Sequence, residues 1–146
     1  MGRYADDVWR ICLLRCAQKS DAEDAFQDTF LKHLKRAEPF ADDGHERAWL
    51  LRVAINTCND QHKRAHRDDE ELPAFVAAPG GDGPGTRMAD VIEAMRALPC
   101  DQRTALYLTA VAGYSAEETA RMLDSTSGTV YSWVSRARAK LKEALA

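Results

Sequence analysis

The sequence SAEETARMLDSTSGTVYSWVSRARAKL occupies residues 115–141 and decides the fold of the second half of the chain. Ser115 and Glu118 have the spacing of a capping box, in which the hydroxyl accepts a backbone N–H and the carboxylate reaches back to the cap. Ala120 and Leu123 give this first helix an apolar side. The polar and small residues 124–128 then predict a tight turn.

A second amphipathic helix follows that turn. Its apolar residues recur at i, i+4, i+7 and i+11 and form one buried stripe: Val130, Val134, Ala137 and Leu141. Its other sides are polar and basic. This pattern is typical of a helix-turn-helix whose second helix enters a DNA major groove. From this stretch alone, a two-helix hairpin inside a bundle remains an equal alternative.

The rest of the chain is also predicted to be helical. Apolar periodicity indicates a first helix over about 6–17. A second begins at Ser20, at capping-box spacing from Glu23, and is ended by Pro39. A third begins near residue 43 or 44 and runs to about residue 67. Two more, over about 86–97 and 99–112, precede the quoted stretch, with Gly113 as the stop.

The segment 68–85 differs in composition from both halves of the chain. It holds three prolines, four glycines and five acidic residues, without a basic one, and this composition is typical of a flexible linker. Its length favours a boundary between domains over a loop within one domain. The sequence therefore predicts an all-α protein with two small helical domains, over 1–67 and 86–146, joined by an acidic flexible linker.

Charge and hydropathy exclude several classes of protein. The formal net charge is −3, and residues 1–67 and 87–146 carry 12 basic against 11 acidic and 8 against 7 groups. Neither half is a uniformly basic nucleic-acid coat, so any nucleic-acid binding depends on local patches. No apolar run approaches the roughly 18 residues of a membrane span, and the N-terminus is no signal peptide. We expect a cytoplasmic protein.

Four motifs follow one another along the chain. They are DAEDAFQDTFL at 21–31, AWLLRVAINT at 48–57, Leu98-Pro99 with Arg103 four residues after the proline, and the glycine-to-arginine stretch 128–138. In this order, with the linker between the second and third, they resemble the extracytoplasmic-function (ECF) sigma factors of bacterial RNA polymerase. The motifs are similar, in turn, to that family's polymerase-binding helix, promoter-melting helix, second-domain entrance and recognition helix. The resemblance covers nearly the whole chain.

The resemblance implies a transcription initiation factor without enzymatic activity or cofactor. The first domain would be sigma domain two, which docks on core RNA polymerase and reads the minus-ten promoter element as single-stranded DNA. The second would be sigma domain four, which reads the minus-thirty-five element as duplex. The chain would direct polymerase to specific promoters, and an anti-sigma factor is the expected regulator.

The polymerase-binding face is predicted on the second helix. Its candidates lie at i, i+3, i+4 and i+7 and therefore share one side: Asp24, Gln27, Asp28 and Leu31. Three polar groups beside one apolar anchor suit a mixed protein interface. By composition alone this is an ordinary solvated face, and only the motif match favours docking.

The minus-ten site is predicted at the start and along the length of the third helix. Asn56 matches the family position that faces a flipped base, and an amide can donate to and accept from a base edge. The loop from Phe40 to His45 would complete the pocket. Further along the helix, four residues could hold the phosphates of the open strand: Asn59, Lys63, Arg64 and Arg67.

The minus-thirty-five site is predicted on the helix after the turn. The candidates are its polar and basic residues: Thr129, Tyr131, Ser132, Ser135, Arg136 and Arg138. Positions 131 and 133 are usually basic in the family and are Tyr and Trp here. The loss of two cations predicts weaker attraction to duplex and a shallower salt dependence.

Two other functions compete with this reading. Exposed aromatic side chains at 131 and 133 suit a protein interface, so a sigma-like decoy that sequesters an anti-sigma factor is the alternative. Cys58, His62 and His66 are metal-ligand types spaced along one helix face, which suggests a metal-dependent enzyme. Three ligands spread over two turns converge poorly on one ion, so we predict no metal site.

Overall fold

The computed structural model describes residues 2–65 and 87–145, and within these ranges every regular element is helical and no strand forms. Three helices make up a first compact unit: α1 (Gly2–Arg15), α2 (Lys19–Lys35) and α3 (Asp43–Ala65). The second unit contains α4 (Arg87–Met95), α5 (Cys100–Leu106), a π-helical turn (Tyr107–Val111), α6 (Ala116–Leu123) and α7 (Ser127–Leu145). The predicted all-α class is confirmed. The predicted linker lies outside the described residues.

In the first unit, α1 and α3 lie side by side and run in the same direction. Arg47 donates to Asp7 at 3.0 Å near their N-termini, and Arg15 donates to Asn59 at 2.6 Å near their C-termini. Between these contacts the helices bury their apolar residues, which include Val8, Ile11, Leu14, Leu50, Leu51 and Ile55. Burial of each such side chain is worth about 1.5–3 kcal/mol and holds the pair together.

Three thiols are buried between the same helices. Cys12, Cys16 and Cys58 are inaccessible to solvent, and the Cys16 and Cys58 sulfurs are 3.5 Å apart. The hydrogen bond with Cys58, followed by burial, raises the pKa of Cys12 and of Cys16 above the usual range for a thiol. Both thiols are therefore protonated and serve as small core residues, as the one-turn spacing of Cys12 and Cys16 indicates.

Helix α2 packs against α1 with a row of aromatic rings. Phe26 meets Trp9 of α1 edge-on at 5.7 Å, and Phe30 follows one turn later at 4.9 Å from Phe26.

The predicted capping box of Ser20 and Glu23 at the start of α2 is wrong. The helix begins at Lys19 with Gln18 as its N-cap, because Ala22 N–H already donates to the Gln18 carbonyl at 3.1 Å. Ser20 therefore lies inside the first turn and cannot cap it.

In the second unit, the single helix predicted over 99–112 changes its winding. It is α-helical from Cys100 to Leu106 and π-helical from Tyr107 to Val111. Gly113 then stops it with a φ of 87°, a conformation that glycine adopts without a side-chain clash. Tyr114 N–H closes the end by donating to the Leu108 carbonyl at 2.9 Å.

Arg103, the arginine that follows the Leu-Pro motif, has a structural role. It is only 1% exposed, and its guanidinium donates to the Leu98 carbonyl across the corner that leads into α5. Pro99 supplies the N-cap of that helix and lacks an N–H that would need a partner. The third family motif therefore shapes a corner between two helices.

The predicted helix-turn-helix is formed by α6 and α7. The capping box is confirmed: Glu118 N–H donates to Ser115 Oγ at 3.0 Å, and Ser115 N–H donates to the Glu118 carboxylate at 2.9 Å. The turn is shorter than predicted. Asp124 takes the left-handed conformation at φ 59°, and α7 already begins at Ser127. Ser127 and Gly128 are helical because the Thr126 hydroxyl caps α7, accepting Thr129 N–H at 3.2 Å.

The two helices enclose a core of small apolar residues. Ala105, Ala116, Ala120 and Val130 are buried, and Leu123, Trp133 and Val134 pack against them from the sides. Trp133 thus flanks the buried stripe of α7. Small residues at the centre allow α6 and α7 to approach closely, and this fixes which side of α7 faces outward.

Candidate protein and nucleic-acid interfaces

The predicted docking face of α2 is presented to solvent. Asp24 and Gln27 are exposed, Asp28 is half-buried and Leu31 is 50% exposed. The opposite side of the helix holds its buried residues, Ala22, Ala25, Thr29 and Phe30. Leu34, one turn beyond Leu31, is 76% exposed and is the most accessible large apolar side chain described. Two accessible leucines beside two carboxylates form a surface suited to a protein partner.

Four rings gather between the end of α2 and the start of α3. This aromatic cluster consists of His33, Phe40, His45 and Trp49. The His33 and Phe40 rings are stacked, with 12° between their planes and 5.7 Å between centroids. Trp49 and His45 meet Phe40 edge-on at 5.5 and 5.3 Å. Phe40, predicted at the minus-ten site, therefore lies at the centre of the cluster.

Arg36 covers the cluster with its guanidinium. Its Cζ is 4.4 Å from the Phe40 centroid and 5.2 Å from that of Trp49. The position depends on the end of α2: Arg36 has extended backbone, with ψ 124°, and stands outside the helix as its C-cap. A cation over two aromatic faces is stabilised by their quadrupoles. Arg36 was not among the residues predicted for this site. Its position within four residues of both His33 and Phe40 could have indicated a cation–π contact.

Hydrogen bonds hold the loop that carries Phe40. His33 Nε2 and Glu46 Oε2 are 2.8 Å apart and tie α2 to α3. Ala41 N–H donates to His45 Nδ1 at 3.0 Å, and His45 N–H donates to the Asp42 carboxylate at 2.8 Å, which caps α3. The loop is thereby fixed at both ends.

The polar residues predicted along α3 fall into different environments. Asn56 is exposed and lies on the side of α3 that carries Trp49, seven residues earlier. Asn59 is half-buried, and its carboxamide oxygen accepts from the buried Arg15. The Asn59 side chain is therefore engaged with α1, whereas that of Asn56 remains exposed. The side chains of Lys63 and Arg64, and all of Arg67, lie outside the described residues.

The outer face of α7 is open to solvent. Tyr131 is 64% exposed, and Ser132, Ser135 and Arg136 are exposed around it. Thr129 is half-buried, and its hydroxyl accepts from that of Thr126 at 2.9 Å, within the cap of α7. These four residues therefore form the outer face of α7, and Thr129 lies at its N-terminal edge.

Arg138 occupies a different side of α7 from Arg136. It lies two positions after Arg136, about 160° around the helix axis, and seven positions after Tyr131, almost in line with it. Its side chain lines a groove of the second unit, together with Lys142 and apolar residues of α4, α5 and the π-turn. We call this the apolar groove. Arg136 and Arg138 were grouped by sequence proximity, and helical geometry separates them.

Metal binding and membrane insertion are the last two features of the described part of the chain. No group of three or more His, Cys, Asp or Glu side chains there could hold a metal ion. The side chain of His62 and the whole of His66 lie outside it, so the prediction of no metal site remains a prediction. No helix in the described ranges is both long and apolar enough to cross a bilayer.

Comparison with known protein families matches both units. The family model described as Sigma-70 region 2 matches residues 1–68, and that described as Sigma-70, region 4 matches residues 88–141. The chain is 35% identical to the ECF RNA polymerase sigma factor SigM of Mycobacterium tuberculosis, over 98% of this chain and 74% of that protein. It is 32% identical to the ECF sigma factor EcfG of Rhodopseudomonas palustris, over 85% and 71%.

Solved structures show the same likeness. One is the sigma factor RpoE of Bartonella quintana in complex with the anti-sigma factor NepR, with TM-score 0.75 and 26% identity over 97% of this chain and 91% of that one. Another is CnrH in complex with the cytosolic domain of CnrY, with TM-score 0.64 and 25% identity over 98% and 82%. These relatives favour a promoter-directing factor over a protein-binding decoy.

Proposed function

The chain belongs to the extracytoplasmic-function sigma factors, transcription initiation factors that direct RNA polymerase to promoters, and from this premise we propose how its surfaces divide that work. Helix α2 docks on core polymerase, the first unit captures an unstacked base of the minus-ten element, and α7 reads the minus-thirty-five duplex. The protein acts in the cytoplasm by binding alone, without catalytic chemistry of its own.

The docking step uses the exposed face of α2. Asp24 and Asp28 lie one turn apart and supply two negative charges, while Leu31 supplies the apolar contact. Charged pairs across such an interface set the orientation of the partners, and the central apolar residue is desolvated on binding. The exposure of Leu34 extends the same apolar contact by one turn.

The observation that carries the minus-ten proposal is the shared face of α3. Trp49 and Asn56 lie on it seven residues apart, so the aromatic cluster and the exposed amide stand about 10 Å apart along the helix. Arg52, also exposed, lies between them. An extruded base needs a stacking surface and hydrogen bonds to its edge. The Arg36 guanidinium and the rings beneath it provide the first, and Asn56 provides the second.

The test is promoter opening by reconstituted holoenzyme. Asn56→Ala should reduce permanganate reactivity of minus-ten thymines while leaving closed-complex formation nearly unchanged, because the amide acts only after a base has left the stack. Asp60→Ala is a matched control, since Asp60 is exposed one turn further along α3. Equal opening by Asn56→Ala and the parent would remove Asn56 from this role.

The minus-thirty-five proposal is based on the outer face of α7. Ser132, Ser135 and Arg136 are exposed there and can reach base edges or phosphates, while Tyr131 offers an apolar contact with a thymine methyl. An anti-sigma factor is the proposed regulator, because the solved relative RpoE is bound to the anti-sigma factor NepR. Such a partner would compete for the same exposed surfaces.

A further inference from the structure

The apolar groove of the second unit has a volume of about 290 Å³. It lies among α4, the segment formed by α5 and the π-turn, and α7, and its lining is almost wholly apolar: Val91, Met95, Leu106, Ala110, Val111 and Leu141, with Arg138 and Lys142. Small-molecule sites are mostly apolar concavities with a few polar groups that fix the orientation of the ligand. The groove has an apolar lining of this kind, and of its residues only Arg138 was predicted at a DNA-binding surface.

The π-turn builds one wall of the groove. Ala110 and Val111 belong to it, and both are exposed although neither side chain is polar. Five-residue π-turns are rare in helices and occur frequently at functional sites, because the wider winding displaces side chains from their α-helical positions. The irregular backbone of the π-turn therefore lies at the cavity and forms part of its wall.

The two cations stand together on the α7 wall. Arg138 and Lys142 are one turn apart, are both exposed and line the same cavity. Nearly all of the groove surface is apolar, so the alkyl stems of these two residues line it and their charged ends lie outside the lining, exposed to solvent. A guanidinium and an ammonium at this spacing can bind one carboxylate between them.

The length of the groove restricts the size of its occupant. Its walls run from Val91 to Met95 and from Arg138 to Lys142, and each spans four residues, or about 6 Å of helix. A docking helix is about 10–12 Å in diameter with its side chains, much wider than a single aliphatic chain. The volume is close to the lower end of the roughly 300–1,000 Å³ range for small-molecule sites. A small ligand therefore fits better than a protein helix.

We propose that the apolar groove binds an anionic amphiphile, a single aliphatic chain that ends in a carboxylate. The chain lies against the apolar lining, and the carboxylate sits between Arg138 and Lys142. The groove itself is not part of the proposed polymerase-docking or DNA-reading surface, although Arg138 follows Tyr131 along the same side of α7. Ligand binding is measured without polymerase or DNA, so the proposal is tested independently of the proposed function.

The experiment is a calorimetric titration of the full-length protein with decanoate below its micelle concentration. We expect saturable binding of one decanoate per chain. Arg138→Gln should weaken it about tenfold, as expected for the loss of one charge-assisted contact, and Lys142→Gln should weaken it to a similar degree. Arg136→Gln is the matched control, because it removes the same charge from the other side of α7 and should leave the Kd unchanged.

Two further measurements distinguish binding of decanoate in the groove from nonspecific adsorption to the protein surface. Decyltrimethylammonium has the same chain and the opposite charge, and should bind much more weakly than decanoate. Ala110→Phe should fill the groove and abolish binding, while circular dichroism confirms that the variant remains helical. The proposal is overturned by equal losses for Arg136→Gln and Arg138→Gln, by equal binding of the cationic probe, or by binding of an acidic amphipathic peptide in place of decanoate.

Discussion

At the residue scale, two asparagines one turn apart on α3 have different tasks. Asn56 is exposed, whereas Asn59 accepts a hydrogen bond from Arg15 beside α1. Asn59→Ala removes that acceptor from a buried guanidinium and should lower the free energy of unfolding by about 1–3 kcal/mol. Asn56→Ala should change it by less than about 0.5 kcal/mol. Urea unfolding of the two variants tests the assignment, and equal losses would contradict it.

Tyr131 is the residue that separates DNA reading from protein binding. It is 64% exposed on α7, where the family usually carries a cation. If α7 reads duplex, Tyr131→Ala should lower holoenzyme affinity for promoters with a minus-thirty-five element. Tyr131→Arg should raise that affinity and steepen its salt dependence, because each new phosphate contact releases counterions.

The control for Tyr131 is its helix neighbour Trp133, which packs against the unit's core. Trp133→Ala should cost several kcal/mol of stability through the cavity it leaves, whereas the Tyr131 variants should melt like the parent. If the holoenzyme footprint stops short of the minus-thirty-five element for both the parent and Tyr131→Arg, DNA reading by this helix is contradicted.

At the scale of the element, the start of α6 depends on a reciprocal cap. Ser115→Ala should cost about 1 kcal/mol, because Glu118 N–H loses its acceptor. Hydrogen bonds from Ser115 to the Glu118 carboxylate lower the pKa of that group below its usual 4.5. The contribution of the carboxylate is thus present above about pH 4.5 and is lost as the pH falls through the lowered pKa. Glu118→Gln should therefore reduce the loss of stability at acid pH. Melting temperatures measured between pH 2 and 7 would show a smaller decrease for the variant than for the parent.

Helix α2 gives the second prediction at this scale. Asp24→Arg and Asp28→Arg should each weaken binding to core polymerase by about 1–3 kcal/mol, because each replaces a carboxylate of the proposed interface with a cation. Fluorescence anisotropy with labelled protein would measure the affinity. Glu23→Arg makes the same charge change a quarter-turn away on the same helix and should have a smaller effect. Unchanged affinity of both aspartate variants would rule out this face.

At the scale of the whole molecule, the acidic linker predicted at 68–85 connects two units that each have their own core. Its replacement by a neutral Gly/Ser segment of equal length should leave both units folded, with unchanged helical circular dichroism. Its acidic groups resemble the phosphates of a nucleic acid, so the pattern of abortive transcripts should change. An unaltered pattern would show that the acidic groups of the linker take no part in initiation.

The sequence by itself determined the helices, the family and the residues that each face presents. Apolar spacing predicted α6 and α7, and the Ser115–Glu118 box was predicted correctly because both partners lie three residues apart in one segment. The exposed face of α2 was predictable for the same reason, since residues one turn apart share a side whatever packs behind them. Local periodicity needs no knowledge of neighbouring elements.

Only the tertiary structure decided which of those residues remain available. Asn59 is engaged because α1 lies against it, and Arg36 covers Phe40 because the chain leaves α2 at that residue and returns through α3. Arg138 lines the apolar groove because α4 and the π-turn face that side of α7. The contacts of Asn59 and of Arg138 join residues far apart in the chain, and no periodic pattern encodes them, since they depend on how separate helices pack.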